Sequence, residues 1–233
     1  MPKILEVTLH NGVDPVSGRK VGLETGDPRG FGNYDELYAA FMKQIRYFVD
    51  MKVRVSNYID RMFAKYAPAT FLSLFIDDCI AKGRDYYNCG PRYNTTYIQC
   101  TGLGTITDSL ATLKKHIFED KRWSMDELLK AMADNFEGAE AMRQTILNRT
   151  PFFGNDDEYA DSIAVKVFDD LYDTIEGKPN TKGECFHLNM LSTTCHVYFG
   201  KVMGATPNGR LAGRAISDGT SPSHGADTHG PSA

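Results

Sequence analysis

The chain has 233 residues, of which 42% are hydrophobic and 24% charged, and this composition is typical of a globular protein that buries a core. Its formal net charge of -4 provides no basic surface, so nucleic acids and anionic membranes are not expected as partners. No apolar run approaches the roughly 20 residues that a membrane-spanning helix needs, and no signal-peptide pattern is present, so a cytoplasmic location is predicted.

The cysteines indicate free thiols rather than a structural framework. They are odd in number, scattered along the chain and include no C-x-x-C pair, so neither a disulfide network nor a zinc site is predicted. The five are Cys79, Cys89, Cys100, Cys185 and Cys195.

Helical patterns dominate the first third of the chain. A helix is predicted over 2–11 with Gly12 as its stop, and a loop rich in glycine and proline follows over 13–32. An amphipathic pattern over 35–65 predicts a helix roughly 46 Å long, and its wide apolar stripe indicates contacts on two sides. A further helix is predicted over 70–82, ended by the glycine that follows.

A strand, a glycine-rich turn and a helix are predicted in direct succession in the middle of the chain. Tyr93–Cys100 is rich in β-favouring residues, Thr101–Gly104 forms the turn, and a helix capped by Thr107 or Asp108 runs on to Phe118. Ligands of α/β proteins commonly bind at such a turn. The turn lacks the motifs of nucleotide-binding loops, so phosphate binding is the less favoured alternative to a turn that needs small residues for packing.

Helices are also predicted in the second half of the chain, followed by a second strand. Ser124–Glu127 is a capping box before an apolar helix, and further helices are predicted over 139–148 and 156–175. The aromatic and β-branched stretch 185–199 predicts a second buried strand, and 207–209 a tight turn. Because two strands cannot form a stable sheet core by themselves, the chain is predicted to belong to a larger α/β fold.

The last segment, 215–233, is rich in Ser, Gly, Pro, Asp and His and reaches no further apolar element. It is interpreted either as disordered or as a loop whose next element is missing. His224, Asp227 and His229 within it have side chains that can bind a metal. No fourth ligand is evident, so a polar loop is favoured over a metal site.

Two carboxylate pairs and one Cys-His pair are further candidates for chemistry. Asp77–Asp78 and Asp156–Asp157 can act as acid and base, although helix caps and solvated surfaces use the same residues more often. Cys195 and His196 are adjacent on the second predicted strand, where neighbouring side chains point to opposite faces. These two residues are therefore not expected to form a nucleophile and base, and the residues alone assemble no complete catalytic site.

Six stretches, taken together and in this order, resemble the glycyl radical enzymes, the family of pyruvate formate-lyase, and within it the branch of diol and hydroxyproline dehydratases. The matching strings span nearly the whole chain. They are PKILEVTLHNGVDPVSGRKVG, TGDPRGFGNYDEL, DDCIAKGRDYYNCGPRYNTTYIQCTGLGTITDSLATLKKHIF, FGNDDEYAD, MLSTTCHVYFGKVMGATPNGR and SDGTSPSHGADTHGPSA.

The resemblance implies a helix-rich segment, with few strands, of a ten-stranded α/β barrel. Inside such a barrel one loop carries a catalytic cysteine and another carries a glycyl radical, which takes a hydrogen from the cysteine so that the thiyl can take one from the substrate. No cysteine of this chain has the GC[VLI]E context, so residues 1–233 are expected to lie between those two loops, with 215–233 cut before its next element. No catalytic, cofactor or metal residue is therefore assigned, and the 233-residue chain alone is expected to be inactive.

By the same resemblance, Leu191 and Thr193 are expected to bind substrate, with an equally weighted alternative that they are barrel core. The implied reaction is dehydration of hydroxyproline or a similar small hydroxylated metabolite. Ser192, and Cys89 with the two residues after it, depart from the usual dehydratase pattern, which leaves open a formate-lyase of 2-keto acids (formate C-acetyltransferase) or a diol- or choline-type lyase. The implied partners are a radical S-adenosylmethionine activase and a second copy in a homodimer. A small-molecule binding module and an inactive structural remnant remain further alternatives.

Overall fold

In a computed structural model of the chain, residues 1–230 are described. Helices predominate over these residues, and two short strands, β1 and β2, pair with each other. The elements in chain order are α1 (Pro2–Thr8), a 3-10 turn (Pro28–Gly30), α2 (Tyr34–Tyr66), α3 (Thr70–Ser73), α4 (Asp77–Lys82), β1 (Thr96–Gln99), α5 (Leu103–Thr112), a π-helical segment (Leu113–Glu119), α6 (Met125–Ala133), α7 (Glu140–Arg149), α8 (Glu158–Ile175), β2 (Phe186–Asn189) and α9 (Cys195–Lys201).

The chain folds into two compact units. The first unit contains Met1–Tyr47, Cys100–Asp170 and 190–230, and the second contains Phe48–Gln99 and Leu171–Asn189. Both long helices, α2 and α8, begin in the first unit and end in the second. Each unit is therefore assembled from segments that are distant in sequence.

The core of the first unit forms around α5, which is buried along its whole length. Its apolar residues Leu103, Ile106 and Leu110 are at most 5% exposed. A short helix that is buried on every side needs small or hydroxyl-bearing residues between the large ones, and α5 has them at Gly104 and Thr107. The first half of α2 and helices α6 and α8 contribute further buried side chains, namely Leu37, Phe41, Ile45, Leu128, Ile163 and Val167.

The second unit contains a parallel strand pair. Thr96 of β1 lies opposite Phe186 of β2, and Gln99 lies opposite Asn189. The strands of a parallel pair cannot be joined by a hairpin, and here the connection runs through helices α5 to α8. Phe186 is fully buried, whereas Tyr97 is 56% exposed. Only one face of this pair is covered by the unit itself.

Several predicted elements are confirmed. Helix α2 spans 33 residues and begins one residue before the predicted start. The capping box at the start of α6 is formed on both sides: Ser124 Oγ accepts from the Glu127 backbone N–H, and the Glu127 carboxylate accepts from the Ser124 backbone N–H. The loop over 13–32 carries only the 3-10 turn and an isolated bridge between Val13 and Lys20.

The prediction of one strand over 185–199 was wrong. β2 covers only Phe186–Asn189, and Cys195–Lys201 is helix α9. The partner strand β1 ends at Gln99, opposite Asn189, so a longer β2 would have no neighbour for its backbone groups. A helix pairs its backbone groups internally, which is why aromatic and β-branched residues adopt it here despite their strand preference.

Two further boundaries differ from the predictions. The helix predicted over 70–82 is interrupted, because Ile76 has an extended backbone (φ -121°, ψ 109°) between α3 and α4. Leu74 and Phe75 beside it are 63% and 72% exposed, so little burial within this unit supports a continuous helix. The strand predicted over 93–100 is shorter than expected, since only Thr96–Gln99 pairs.

The helix predicted to end at Phe118 changes its winding before it ends. After Thr112 it continues as a π-helical segment to Glu119, and this segment contains the fully buried His116. The His116 Nε2 lies 3.0 Å from Thr150 Oγ1, and its ring packs 5.2 Å from the Trp123 ring. Burial lowers the pKa of His116, which favours the neutral imidazole.

The described part of the tail is a loop, and the expectation that its next element is missing stays a prediction. Residues 215–230 contain turns and neither helix nor strand, while Ile216 and Ser217 are almost completely buried. Packing and side-chain hydrogen bonds, rather than helix or strand pairing, therefore hold this segment. Within residues 1–230, no helix is both long enough and apolar enough to cross a bilayer.

Candidate functional site

The two residues expected to bind substrate lie just after β2, in the first unit. Leu191 is 62% exposed in this chain. Thr193 is half-buried, and its Oγ1 lies 2.6 Å from the Cys195 Sγ. The segment therefore presents one apolar side chain and one hydroxyl next to a thiol.

Cys195 and His196 stand in the first turn of α9 and not on a strand, which corrects the predicted geometry. The Cys195 Sγ is 3.9 Å from the Thr101 Oγ1, in addition to its contact with Thr193. The His196 Nδ1 donates to the backbone carbonyl of Thr193 at 2.6 Å, which fixes the proton on that nitrogen. The thiol contacts threonine hydroxyls and the imidazole contacts a backbone carbonyl, so the two residues are not paired as nucleophile and base.

The substrate segment rests on the loop that contains Gly219. A Cβ atom at Gly219 would lie 2.5 Å from the Met190 carbonyl oxygen and 3.0 Å from the Ser192 backbone nitrogen. Only glycine permits so close an approach of two backbones. The Gly219 carbonyl in turn accepts from the Leu103 N–H at 3.3 Å, which ties this loop to the start of α5.

The start of α5 is occupied by protein groups, which bears on the phosphate-binding alternative. The Thr105 N–H donates to Ser217 Oγ at 2.9 Å, and the Ser217 N–H donates back to Thr105 Oγ1 at 2.8 Å. A Cβ at Gly104 would lie 2.6 Å from the Ser221 carbonyl oxygen. The N–H groups and the space that a phosphate needs are thus taken by the 217–223 loop, and the glycine serves close packing.

Asp108 does not cap α5, which begins five residues earlier, so that prediction was wrong. Its carboxylate is fully buried and accepts from the Phe153 N–H at 2.9 Å and from the Ser223 hydroxyl. Burial raises the pKa of Asp108 to about 7, against the opposing effect of these two hydrogen bonds. This carboxyl group holds two loops to α5 and acts as a positioning residue.

The polar tail residues have structural partners in the first unit. Asn155 organises them: its Oδ1 accepts from the Thr228 N–H at 2.7 Å, and its carbonyl oxygen lies 2.8 Å from the His229 Nδ1. The His224 ring packs 5.6 Å from the His196 ring. Over residues 1–230, no group of three or more His, Cys, Asp or Glu is arranged to hold a metal ion.

The two carboxylate pairs lie at helix starts. Asp77 and Asp78 are in the first turn of α4. The Asp157 Oδ1 accepts from the Tyr159 N–H at 3.0 Å, as expected of a residue that caps α8. These positions agree with the helix-cap interpretation and offer no pair of carboxylates aimed at a common substrate.

A cluster that the sequence reasoning did not identify lies in the second unit. The Cys185 Sγ is 3.5 Å from His187 Nε2, and the His187 Nδ1 is hydrogen-bonded to the Glu176 carboxylate. The available signal was the Cys-x-His spacing, which places both side chains on one face of a strand.

Comparison with known proteins identifies the family. Residues 1–200 match the family model described as pyruvate formate lyase-like. The chain is 50% identical, over its full length, to trans-4-hydroxy-L-proline dehydratase of Clostridioides difficile, of which it covers 30%. A crystal structure of hydroxyproline dehydratase from the same organism, with trans-4-hydroxy-L-proline bound, superposes with a TM-score of 0.95 and 50% identity over 99% of this chain and 29% of that one.

A glycyl radical enzyme from Archaeoglobus fulgidus superposes with a TM-score of 0.90 and 33% identity, over 98% of this chain and 29% of that one. The chain thus spans about 30% of the length of the curated relative that it matches. Its helix-rich architecture with a parallel strand pair is that of the corresponding part of these enzymes. On these matches, the chain belongs to the pyruvate formate lyase-like family of glycyl radical enzymes.

Proposed function

We propose that this chain is the part of a glycyl radical dehydratase that lies between the cysteine loop and the glycyl radical loop, and that the complete enzyme dehydrates hydroxyproline or a similar small hydroxylated metabolite. The observation that carries this proposal is the similarity to hydroxyproline dehydratase at half identity over the whole chain. Similarity that extends through every element, rather than through one motif, favours a shared reaction as well as a shared fold.

The strand pair supports the barrel part of the proposal. β1 and β2 are parallel neighbours joined by a long helical connection, as adjacent strands of an α/β barrel are. We propose that they are two strands of a ten-stranded barrel wall. The substrate segment follows the carboxyl end of β2, which is the end of a barrel strand where active sites form.

The proposed roles within this chain are contacts and walls rather than the radical steps. Leu191 offers an apolar contact to the substrate, and Thr193 offers a hydroxyl that can hydrogen-bond a substrate oxygen. The Gly219 loop supports that segment from behind. The glycyl radical, when installed in a complete enzyme of this family, supplies the hydrogen abstraction that starts the reaction.

The fit of the radical residues to this chain is poor, which is why they are placed elsewhere. Cys100 is buried, and Cys195 contacts two threonine hydroxyls. Neither has the GC[VLI]E context of the family's catalytic cysteine. No step of the reaction is therefore assigned to a cysteine of this chain.

The proposed partners follow from the family. We propose a radical S-adenosylmethionine activase, which installs the radical, and a second copy of the complete enzyme in a homodimer. The five cysteines, all within the described residues, form no disulfide, which suits the reducing environment of the cytoplasm. The proposed location is therefore cytoplasmic.

A segment exchange tests the proposal directly. This chain replaces the matching segment of the Clostridioides difficile dehydratase, the chimera is activated, and its radical content is measured by electron paramagnetic resonance before turnover is assayed. We expect consumption of trans-4-hydroxy-L-proline. A chimera that carries the radical and a normal fold but does not act on this substrate would contradict the assignment.

The same chimera separates the alternatives. Turnover of a 1,2-diol, choline or a 2-keto acid in place of hydroxyproline would favour the corresponding lyase.

Leu191→Ala is expected to raise KM about tenfold, since a leucine contact contributes roughly 1.5 kcal/mol or more. Thr193→Val should lower kcat/KM about tenfold through loss of one hydrogen bond. The neighbouring Thr194→Val serves as the matched control, because Thr194 is exposed and its side chain caps no helix.

The isolated 233-residue chain is expected to show no dehydratase activity, even with an activase present. The reason is that the proposal assigns the thiyl cysteine and the radical glycine to other parts of the enzyme. Turnover of hydroxyproline by this polypeptide alone would contradict that assignment of the radical residues.

A further inference from the structure

A cysteine, a histidine and a carboxylate lie in line within the second unit, outside the proposed substrate segment. The Cys185 Sγ is 3.5 Å from His187 Nε2, and the Glu176 carboxylate is hydrogen-bonded to His187 Nδ1. This order of thiol, imidazole and carboxylate is the arrangement in which a histidine activates a nucleophile and a third group orients the histidine.

Local structure explains why the three side chains meet. Cys185 directly precedes β2 and pairs with Pro179 in an isolated bridge, so the alternation of the strand extends to it. Cys185 and His187 therefore share one face, while Phe186 between them is buried on the other. Glu176 directly follows the last residue of α8. Its second oxygen accepts from the Leu188 N–H at 3.4 Å, so the carboxylate is held against β2 by two contacts.

The backbone around Cys185 is also held in place. The Cys185 carbonyl accepts from the Thr96 N–H at 3.2 Å, which ties it to β1, and the next N–H, that of Phe186, donates to the Lys178 carbonyl at 2.7 Å. Side chains on rigid strands keep a defined geometry better than side chains on loops. The thiol and the imidazole are therefore fixed relative to each other.

Hydrogen bonding assigns the roles of the two ring nitrogens of His187. A carboxylate only accepts hydrogen bonds, so the bond to Glu176 places a proton on Nδ1. In the neutral ring the Nε2 then carries a lone pair, which faces the Cys185 thiol and can take its proton. The His187 side chain is 31% exposed and the Glu176 side chain 25% exposed, so the cluster is accessible to a small molecule.

We propose that Cys185 is a nucleophilic thiol, activated by His187 and oriented through Glu176, that reacts covalently with small α,β-unsaturated carbonyl compounds. The Cys185 proton moves to His187 Nε2, and the sulfur forms a bond to the β-carbon as the carbon–carbon double bond opens. The proton then passes from His187 to the α-carbon. The net change is addition of S–H across the double bond, and it requires no oxidant, reductant or leaving group.

The test measures the alkylation rate of each cysteine in the folded 233-residue chain with limiting N-ethylmaleimide, an α,β-unsaturated carbonyl probe. Aliquots are quenched and digested, and the cysteine peptides are quantified by mass spectrometry. Cys89 is the internal reference, because it is half-buried like Cys185. We expect Cys185 to react about tenfold faster than Cys89, as cysteines paired with histidine do relative to ordinary thiols.

Two variants connect the rate to the cluster. His187→Gln should reduce the Cys185 rate to about that of Cys89 and leave the Cys89 rate unchanged, and Glu176→Gln should reduce it by a smaller factor. The buried Cys79 and Cys100 report folding, since they become reactive if a variant unfolds. If Cys79 and Cys100 become reactive in His187→Gln, the Cys185 rate in Glu176→Gln is compared with that of the unmodified chain instead.

The proposal is overturned if Cys185 in the unmodified chain reacts no faster than Cys89, or if a folded variant of His187 or Glu176 leaves the Cys185 rate unchanged. The first of these outcomes needs no variant, so the proposal stays testable even if both substitutions disrupt folding. The outcome is also independent of the dehydratase assignment, because no radical or activase takes part.

Discussion

The two units of this protein differ in how they bury apolar side chains. In the first unit, α5 is enclosed on all sides, and Phe41, Ile106 and Leu110 have no measurable exposure. The second unit has far fewer buried residues around Ile98 and Phe186. It also has many large apolar residues that are at least 37% exposed, among them Tyr58, Phe63, Tyr66, Phe71, Leu74, Phe75, Tyr86, Tyr93 and Tyr97.

The contrast indicates which unit is stabilised mainly by its own buried core. Exposed apolar surface on this scale is typical of a region that other protein packs against. The chain spans about 30% of the length of its curated relative. We therefore expect the first unit to stabilise itself largely through its own core, and the second to depend on a few buried residues.

The largest effect is expected from Phe186→Ala in the second unit. The side chain is fully buried beside β1, so its removal should cost about 4 kcal/mol of unfolding free energy through lost burial and a residual cavity. Urea unfolding followed by circular dichroism measures this loss. Phe71→Ala is the control. This phenylalanine is 76% exposed, so the variant should have the same unfolding free energy as the unmodified chain. Equal losses in both variants would contradict the thin core inferred for this unit.

The next effect is expected in the first unit, from Gly104→Ala. The added Cβ would lie 2.6 Å from the Ser221 carbonyl oxygen and 2.7 Å from the Ser223 nitrogen, both backbone atoms that cannot move aside easily. The expected cost is about 3 kcal/mol of unfolding free energy. Fluorescence of the single tryptophan, Trp123, reports on this unit in the same urea titration.

Gly30→Ala is the matched control for that substitution. A Cβ there meets no atom within 4 Å, so a change within about 0.5 kcal/mol is expected. If Gly104→Ala is as mild as this control, then the loop over 217–223 does not pack on α5 as described.

The third prediction concerns pH and the buried carboxyl of Asp108. Its folded pKa of about 7 lies above the unfolded value of 3.8, so between these two values the folded state holds more protons than the unfolded state. Its contribution therefore makes the unfolding free energy fall by about 1.4 kcal/mol per pH unit near pH 5.5, and the fall ends above pH 7. Below pH 3.8 the carboxyl is protonated in both states and the contribution is constant.

Asp108→Asn tests this prediction, because an amide cannot titrate and its oxygen can still accept from the Phe153 N–H. The difference in unfolding free energy between variant and unmodified chain should grow in favour of the variant as pH rises from 4 to 7. Urea titrations at several pH values measure it. A difference that does not vary with pH would show that Asp108 titrates as an ordinary carboxyl group.

The smallest effect is expected from Phe75→Ser on the exposed apolar surface of the second unit. The side chain is 72% exposed, so the unfolding free energy should change by no more than about 0.5 kcal/mol. Binding of the dye 8-anilinonaphthalene-1-sulfonate should decrease, since one exposed aromatic ring is lost. A large loss of stability with no change in dye binding would show that this residue is part of a core.

Much of the secondary structure could be predicted, because local signals specify it. The apolar stripe of α2 and the capping box at Ser124 act through residues three or four positions apart, so both were placed within a residue or two. The family was also accessible, since its motifs are contiguous in sequence. The expected substrate residues, Leu191 and Thr193, remain a prediction, because no local pattern specifies which side chains face a substrate.

Other features could not be predicted, because residues far apart in sequence create them. Asp108 resembled a helix cap, yet it lies inside the first unit, where burial raises its pKa although Phe153 and Ser223 hydrogen-bond its carboxylate. Cys185 and His187 share a strand face by local alternation, but Glu176 completes the cluster only because α8 ends beside β2.

The sequence by itself determined the helix boundaries that carry local stop and start signals, the strand–turn–helix order after Tyr93 and membership of the family. Only the tertiary structure decided that the stretch after Asn189 is helical, because strand pairing requires a partner and β1 ends at Gln99. It also decided which polar groups are buried and which apolar groups are exposed. Burial depends on contacts between distant segments, and no local pattern encodes those contacts.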